Sequence, residues 1–249
     1  MKKFSLANNA ALVTGSSKGI GRAIADGLHE AGAAVVYHGN TARPDSVPAG
    51  CGCVMGNMLD AGGPARLVAD AFAVQPKLDL LVANAGSFFD RPFLEMDEAT
   101  WDKTMNLNVR ATYFLCQAFA KELIARKRPG AMVLVSSTNG FQSEENSTAY
   151  DSSKGALVMM TRSLSQALID HGIRVNGLAP GLIRTPLTSA LGFGDLAKHY
   201  EKKILLRRLG EPEDCAGTAV FLLSQASAYI VGQVVVVDGG LTVGQIGRM

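Results

Sequence analysis

From Ala10 to Ala25 the chain reads Ala-Ala-Leu-Val-Thr-Gly-Ser-Ser-Lys-Gly-Ile-Gly-Arg-Ala-Ile-Ala: a short apolar run, a glycine turn and a helix start. The run Ala10–Val13 suits a strand buried on both faces. Gly15, Gly19 and Gly21 form a Gly-x3-Gly-x-Gly turn, where the missing Cβ atoms allow unusual dihedrals and close approach to a ligand. Helix formers with apolar spacing continue through Leu28, and a second apolar run occupies residues 34–38. A helix beginning near Gly19 presents unpaired N–H groups and a partial positive charge, a ready site for a pyrophosphate. The spacing is not Gly-x-Gly-x-x-Gly, and the same turn could also serve as a connection without a ligand.

The alternation continues to the end of the chain. Strands are expected at Ala10–Val13, 34–38, 51–55, 78–83, 132–136, 173–178 and Val234–Val237, with helices at 19–31, 64–74, 99–126, 149–170 and 212–224. Strands alternating with helices imply βαβ units, right-handed crossovers and a parallel sheet covered on both faces. The expectation is a single Rossmann-type doubly wound α/β domain over residues 1–249, with a seven-stranded parallel sheet flanked by helices. Residues 39–50 hold Pro44 and Pro48 in a short segment, which predicts a loop crossover in place of a helix.

Composition narrows the function. A net charge of +2 gives no field that would favour nucleic acid or an anionic membrane. The basic cluster from Lys198 to Arg208 includes Glu201 and aliphatic residues and reads as a solvated helix face. The start Met1-Lys2-Lys3 is followed by a stretch too short and polar for a secretory signal, and no segment approaches ~18 uninterrupted apolar residues. Cys51 and Cys53 fall on one face of an expected strand, while Cys116 and Cys215 lie far off among apolar neighbours. That spacing lacks the pattern of a zinc site, so no metal is expected, and the thiols read as buried and free in a reducing cytoplasm.

Tyr150 and Lys154 stand four apart at the head of an apolar-periodic segment. On a helix they share a face, which brings an ammonium beside a phenol. Free tyrosine has a pKa of ~10, and a nearby cation would favour its phenolate and bring it towards the range of general acid–base catalysis. Alone, the pair could equally be two side chains on a solvated helix face. Ligands on an open parallel sheet bind beyond the carboxyl ends of its strands, where Ser137, Asn84 and residues 180–185 all fall.

These pieces together resemble the short-chain dehydrogenase/reductase family over nearly the whole chain. Thr14-Gly15-Ser16-Ser17-Lys18-Gly19-Ile20-Gly21 is similar to its cofactor motif, and Asn84-Ala85-Gly86 to its second motif. Ser137, thirteen residues before Tyr150, and Lys154 match its catalytic spacing; Asn108, seven after Trp101, falls at its fourth catalytic position. Pro180-Gly181 and the closing Val237-Asp238-Gly239-Gly240 also match. The resemblance implies that Tyr150 exchanges a proton with the substrate oxygen and that Ser137 hydrogen-bonds the same oxygen. Lys154 would lower the Tyr150 pKa and hold the nicotinamide ribose, and Asn108 would support a water leading from Lys154 to solvent. Ser136 and Asn106 are alternatives to Ser137 and Asn108 that the family spacing disfavours. Cofactor contacts are implied at Gly15, Ser17, Lys18, Gly19, Ile20, Gly39, Asn57, Met58, Asn84, Ala85, Gly86, Tyr150, Lys154, Pro180, Gly181, Ile183 and Thr185, although Thr185 could equally cap the segment after it.

The implied activity is an NAD(P)-dependent hydride transfer between the cofactor and an alcohol or carbonyl substrate. A 3-oxoacyl-carrier-protein reductase and a non-catalytic NADP(H) sensor are the alternatives. Gly39 and Asn40 stand where NAD-preferring relatives carry an acidic residue, and Lys18 and Arg43 are basic, so NADP is expected, with NAD possible. Phe88, Phe89, Phe141, Gln142 and Glu144 follow site strands and could line the pocket. Glu144 and Glu145 at its border would disfavour an anionic substrate or an acidic carrier protein, leaving neutral polar alcohols or sugars. Residues 187–206 match a substrate lid, with Gly192-Phe193-Gly194 as its hinge. The resemblance further implies a homotetramer, formed through the two long helices at 99–126 and 149–170.

Overall fold

The inner strands form on apolar runs because a strand covered on both faces must be apolar along its whole length. A computed structural model of the protein describes residues 2–189 and 194–244. Its strands are β1 (Ala10–Val13), β2 (Ala34–Gly39), β3 (Gly52–Met55), β4 (Leu80–Ala83), β5 (Gly130–Val135), β6 (Ile173–Pro180) and β7 (Val234–Val237). All seven pair in parallel, in the order β3-β2-β1-β4-β5-β6-β7. The order reverses between β1 and β4, which opens a crevice beyond their carboxyl ends.

The helices are α1 (Gly19–Glu30), α2 (Gly63–Val74), α3 (Glu98–Met105), α4 (Thr112–Ala125), α5 (Thr148–Leu168), α6 (Pro186–Ser189), α7 (Gly194–Lys203) and α8 (Glu213–Leu223). On one face of the sheet Ile24 and Leu28 of α1 pack with Leu222 of α8 and Tyr37 of β2. On the other, Phe72 of α2, Phe119 of α4 and Leu157 of α5 share a second core, with the two phenylalanine rings 5.5 Å apart. Each such side chain contributes ~1.5–3 kcal/mol on burial. No described helix is long and apolar enough to cross a membrane.

Several expectations shift. β5 begins two residues earlier than expected and ends at Val135, while β6 runs on to Pro180 because β7 continues the ladder to the pair Pro180 and Val237. The single helix expected at 99–126 is three segments: α3, a π-helical turn over Asn106–Ala111, and α4. Residues 40–50 are a loop, as the prolines imply. Arg22 anchors it, donating to Ser46 O at 2.9 Å and Ser46 Oγ at 3.1 Å while paired with Asp26 at 2.7 Å.

Cys51 precedes β3, and both Cys51 and Cys53 are only half-buried; Cys116 and Cys215 are buried, and all four are free thiols. The expectation of four buried thiols therefore holds for two. β3 is the edge strand of the sheet, so its side chains are less covered. The basic run from 198 to 208 is not one helix face: α7 ends at Lys203, Ile204 is buried, and Arg208 pairs with Asp214 at 2.6 Å. Gly192 and Phe193 of the expected hinge lie outside the described residues.

Candidate active site

The glycine turn is held from below by a histidine. Gly15 donates its N–H to His38 Nδ1 at 3.0 Å, and His38 Nε2 donates to Gly56 O at 2.9 Å. Both bonds together require neutral imidazole. Burial also holds the His38 pKa below its ordinary value. Asn84 Nδ2 clamps the turn from the β4 side, donating to Thr14 O at 2.9 Å and Gly15 O at 3.2 Å. The N–H groups of Asn84 and Ala85 both donate to Thr14 Oγ1 at 3.1 Å. α1 starts at Gly19 with no side-chain cap and no acidic residue in its first turn. An anionic group would fit that end, since the first helical N–H groups have no intrahelical partner.

The opposite wall comes from the segment after β6. A Cβ on Gly19 would lie 3.5 Å from Thr185 Cγ2, so Thr185 faces the turn across a narrow gap. Its hydroxyl also accepts the Thr188 N–H at 3.2 Å, so the capping alternative raised by the sequence is real. Ile183 is buried, and a Cβ on Gly181 would strike Asp238 Cβ at 2.6 Å. Ser17 and Ile20 line the turn half-exposed, and Lys18 is exposed. Gly39 closes β2 with the Ala42 carbonyl packed over it. Asn57 bonds within its own turn, to Asp60 and Leu59, and the Met58 side chain belongs to the core, so only the Met58 backbone is left to face a ligand. Gly86 is exposed at the mouth, and a Cβ there would meet Asn108 Oδ1 at 3.0 Å.

Ser137, Tyr150 and Lys154 converge beyond β5. Ser136 turns inward, donating to Lys154 O at 2.8 Å, whereas Ser137 stands beside the Tyr150 phenol. Lys154 donates to Val135 O at 3.1 Å, and its Nζ lies 5.4 Å from the centre of the Tyr150 ring. Burial holds the ammonium down to about 8. Burial likewise pushes the Tyr150 phenol up to about 12; the Ser137 hydroxyl opposes the rise, and Glu144, Asp151 and Asp90 reinforce it. The phenol therefore shifts upward rather than down as its pairing with Lys154 leads one to expect, because desolvation disfavours the phenolate.

Buried Asn108 makes no bond to Lys154. It accepts the Ser87 N–H at 2.9 Å and donates to Ser87 O and Ser153 Oγ, each at 3.0 Å. At the rim the Phe88 ring meets the Tyr150 ring edge-on at 5.2 Å, while Phe89 sits under Lys103. Phe141 is exposed, and Glu144 accepts from Asn139 and from the Tyr200 hydroxyl, which links α7 to the loop after β5. Among the described residues no cluster of His, Cys, Asp or Glu is arranged to hold a metal.

A family model described as enoyl-(acyl carrier protein) reductase matches residues 15–242. The human dehydrogenase/reductase SDR family member 4 is 38% identical over 247 residues, covering 94% of this chain and 88% of that protein. The 2-dehydro-3-deoxy-D-gluconate 5-dehydrogenase of Dickeya dadantii is 35% identical over 248 residues, covering 96% of this chain and 98% of its own. This chain belongs to the short-chain dehydrogenase/reductase family. Among solved structures of that family, the gluconate 5-dehydrogenase of Burkholderia cenocepacia, in complex with NADP and tartrate, matches with a TM-score of 0.90 at 30% identity. The match covers 97% of this chain and 98% of that one. As a short-chain dehydrogenase/reductase the protein is an NAD(P)-dependent oxidoreductase acting on CH–OH or carbonyl groups.

Two residues of this short-chain dehydrogenase/reductase act at the site without a signal in the sequence. In sequence His38 is one more residue of an apolar strand. Asp90, which reaches the backbone of Tyr150, stands 60 residues before it and carries no local signal.

Proposed function

We propose that the protein interconverts a small neutral polar alcohol or sugar and its ketone, using NADP(H), with Tyr150 as the acid–base group. The observation that carries this reading is the convergence of Ser137, Tyr150 and Lys154 beyond β5, beside the uncapped start of α1. The nicotinamide, when bound, supplies or accepts the hydride. Ser137 holds the substrate oxygen, and Tyr150 donates its phenolic proton there in reduction and takes one in oxidation. With the phenol pushed up to about 12, Tyr150 is fully protonated at neutral pH and so carries the proton that reduction needs, although as a weaker acid than free tyrosine. Lys154 gives one N–H to Val135 O, and the other two would be left for the ribose hydroxyls of the cofactor. Asn108 acts by holding Ser87 and Ser153 in place.

The glycine turn and the N–H groups of Ser17, Gly19 and Ile20 would hold the pyrophosphate, and Ala85, Gly86, Ile183 and Thr185 would line the rest of the cofactor site. NADP is favoured over NAD because no carboxylate ends β2 at Gly39 or Asn40, while exposed Lys18 offers a cation to a 2′-phosphate. Neutral substrates are favoured because Glu144, Asp151 and Asp90 all act on the phenol. The family-model description favours a second reading, an acyl-carrier-protein reductase; the acidic rim opposes it, since carrier proteins are acidic. A bare NADP(H) sensor would have no use for the proton-handling pair. Exposed Tyr113 and Phe114 on α4 and Met159 on α5 support a homotetramer, and the free thiols support a reducing cytoplasm.

The reading is tested by following NADPH and NADH absorbance across xylitol, D-gluconate, cyclohexanone and acetoacetyl thioesters. Turnover of the neutral compounds is expected, xylitol being oxidised with NADP+ and cyclohexanone reduced with NADPH. A clear preference for the thioester would install the second reading, and no turnover of any member would favour the sensor.

A further inference from the structure

α5 carries both Tyr150 and Lys154, yet it begins without a cap of its own. Ser147, at its N-cap position, caps no helix N–H with its side chain; its hydroxyl instead donates to the Asp151 side chain at Oδ1, 2.8 Å away. Asp90 fills that role from the loop after β4. Its Oδ1 accepts the Ala149 N–H at 3.0 Å, and its Oδ2 accepts the Tyr150 N–H at 2.7 Å. A carboxylate at a helix start satisfies donors that have no helical partner and sits favourably in the helix dipole.

The same loop touches Tyr150 a second time through Phe88, and Asn108 pins it at Ser87. At its beginning, Asn84 clamps the glycine turn. One short segment thus joins the cofactor turn to the backbone and ring of the proton-transfer residue.

We propose that Asp90 is a positioning residue for Tyr150, fixing the phenol relative to the glycine turn through its paired bonds to the Ala149 and Tyr150 amides. The inference rests on the reading of Tyr150 as the acid–base group. A misplacement of about 1 Å at a reacting group can cost ~10²-fold in rate, so the expected loss is kinetic. Asp90 also acts on the phenol by charge, in the same sense as Asp151 and Glu144 and against Ser137. The other charged groups around the loop are paired elsewhere: Arg91 with Asp97 at 3.1 Å, and Lys103 over the Phe89 ring.

Asp90→Ala and Asp90→Asn are compared with wild type and Tyr150→Phe. NADPH titration gives Kd, and the panel compound that wild type uses gives kcat. Near-ultraviolet phenolate absorbance, with Tyr150→Phe subtracted, follows Tyr150 ionisation with no substrate present. Both Asp90 variants should bind NADPH within about threefold of wild type, with kcat down at least about tenfold in Asp90→Ala. Asp90→Asn keeps one acceptor and should recover part of that rate, yet both variants should ionise Tyr150 at lower pH than wild type, because each has lost the charge. A purely structural cap would lower the folded fraction and leave kcat per folded enzyme where it was.

Turnover of Asp90→Ala within twofold of wild type per folded enzyme, or no recovery of rate in Asp90→Asn, would overturn the proposal. If Asp90→Ala does not fold, kcat of folded Asp90→Asn decides alone: a loss supports the proposal and a rate within twofold of wild type overturns it. Normal turnover in Tyr150→Phe would remove the underlying reading, and this proposal with it. Inactive Tyr150→Phe beside fully active Asp90→Ala would remove Asp90 only.

Discussion

Asn108 Nδ2 donates to Ser153 Oγ at 3.0 Å, joining the π-helical turn to α5 at the residue before Lys154, and Ser153 passes the contact on to Tyr150 O at 2.7 Å. Asn108→Ala would strip partners from Ser87 and Ser153 inside the protein, and each buried group left unsatisfied costs about 1–3 kcal/mol. Thermal unfolding should move down and kcat should fall about tenfold or more. An unchanged melting temperature would show that these bonds are dispensable.

Gly21 has no room for a side chain. A Cβ there would lie 2.4 Å from both Asn84 Nδ2 and Gly15 O, the two partners that shape the glycine turn. Gly21→Ala should lose about 1–3 kcal/mol in a urea titration and weaken NADPH binding at least tenfold, because the backbone itself must move. NADPH affinity equal to wild type would contradict the clamp.

Much of this architecture is legible in the chain because strands covered on both faces leave an apolar run for each strand, and the site residues follow those runs directly. The loop at 40–50 is legible from Pro44 and Pro48. The π-helical turn is not, because Asn106 to Ala111 continue a helical pattern and nothing local distinguishes i+5 from i+4 bonding. The spacing of Tyr150 and Lys154 places them on one helix face correctly. It carries no information about burial, which comes from the surrounding elements and reverses the expected shift of the phenol. Asp90 and Arg22 act on Tyr150 and Ser46 across long sequence separations, and only the folded sheet brings those pairs together.

His38 makes the protein acid-sensitive. Its folded pKa lies below the ordinary 6.5, so the unfolded chain binds the extra proton first as pH falls. The contribution from His38 is complete above about 6.5 and declines below it until the folded value is reached. Urea titrations from neutral to acidic pH should show this loss in wild type and a smaller one in His38→Asn. Equal slopes in the two proteins would exclude His38 as the source.

Lys154 has the same sign at higher pH. It is held down to about 8 from 10.5, so across that window the unfolded state binds more protons and stability from this group rises with pH. Wild type should gain stability relative to Lys154→Met as pH rises through that window. Lys154→Met should also lose ~10-fold or more in alcohol oxidation, since no cation then stands near the developing phenolate. A variant with wild-type oxidation rate and pH profile would make the pairing incidental.

Tyr150→Phe keeps the ring that meets Phe88 and removes only the ionisable hydroxyl. Steady-state kcat on the compound wild type turns over, measured beside NADPH Kd on the same preparations, therefore bears most directly on the proton-transfer role. The predicted result is a fall of ~10²-fold or more in kcat with NADPH affinity within about threefold of wild type. A kcat within twofold of wild type would contradict the role assigned to Tyr150.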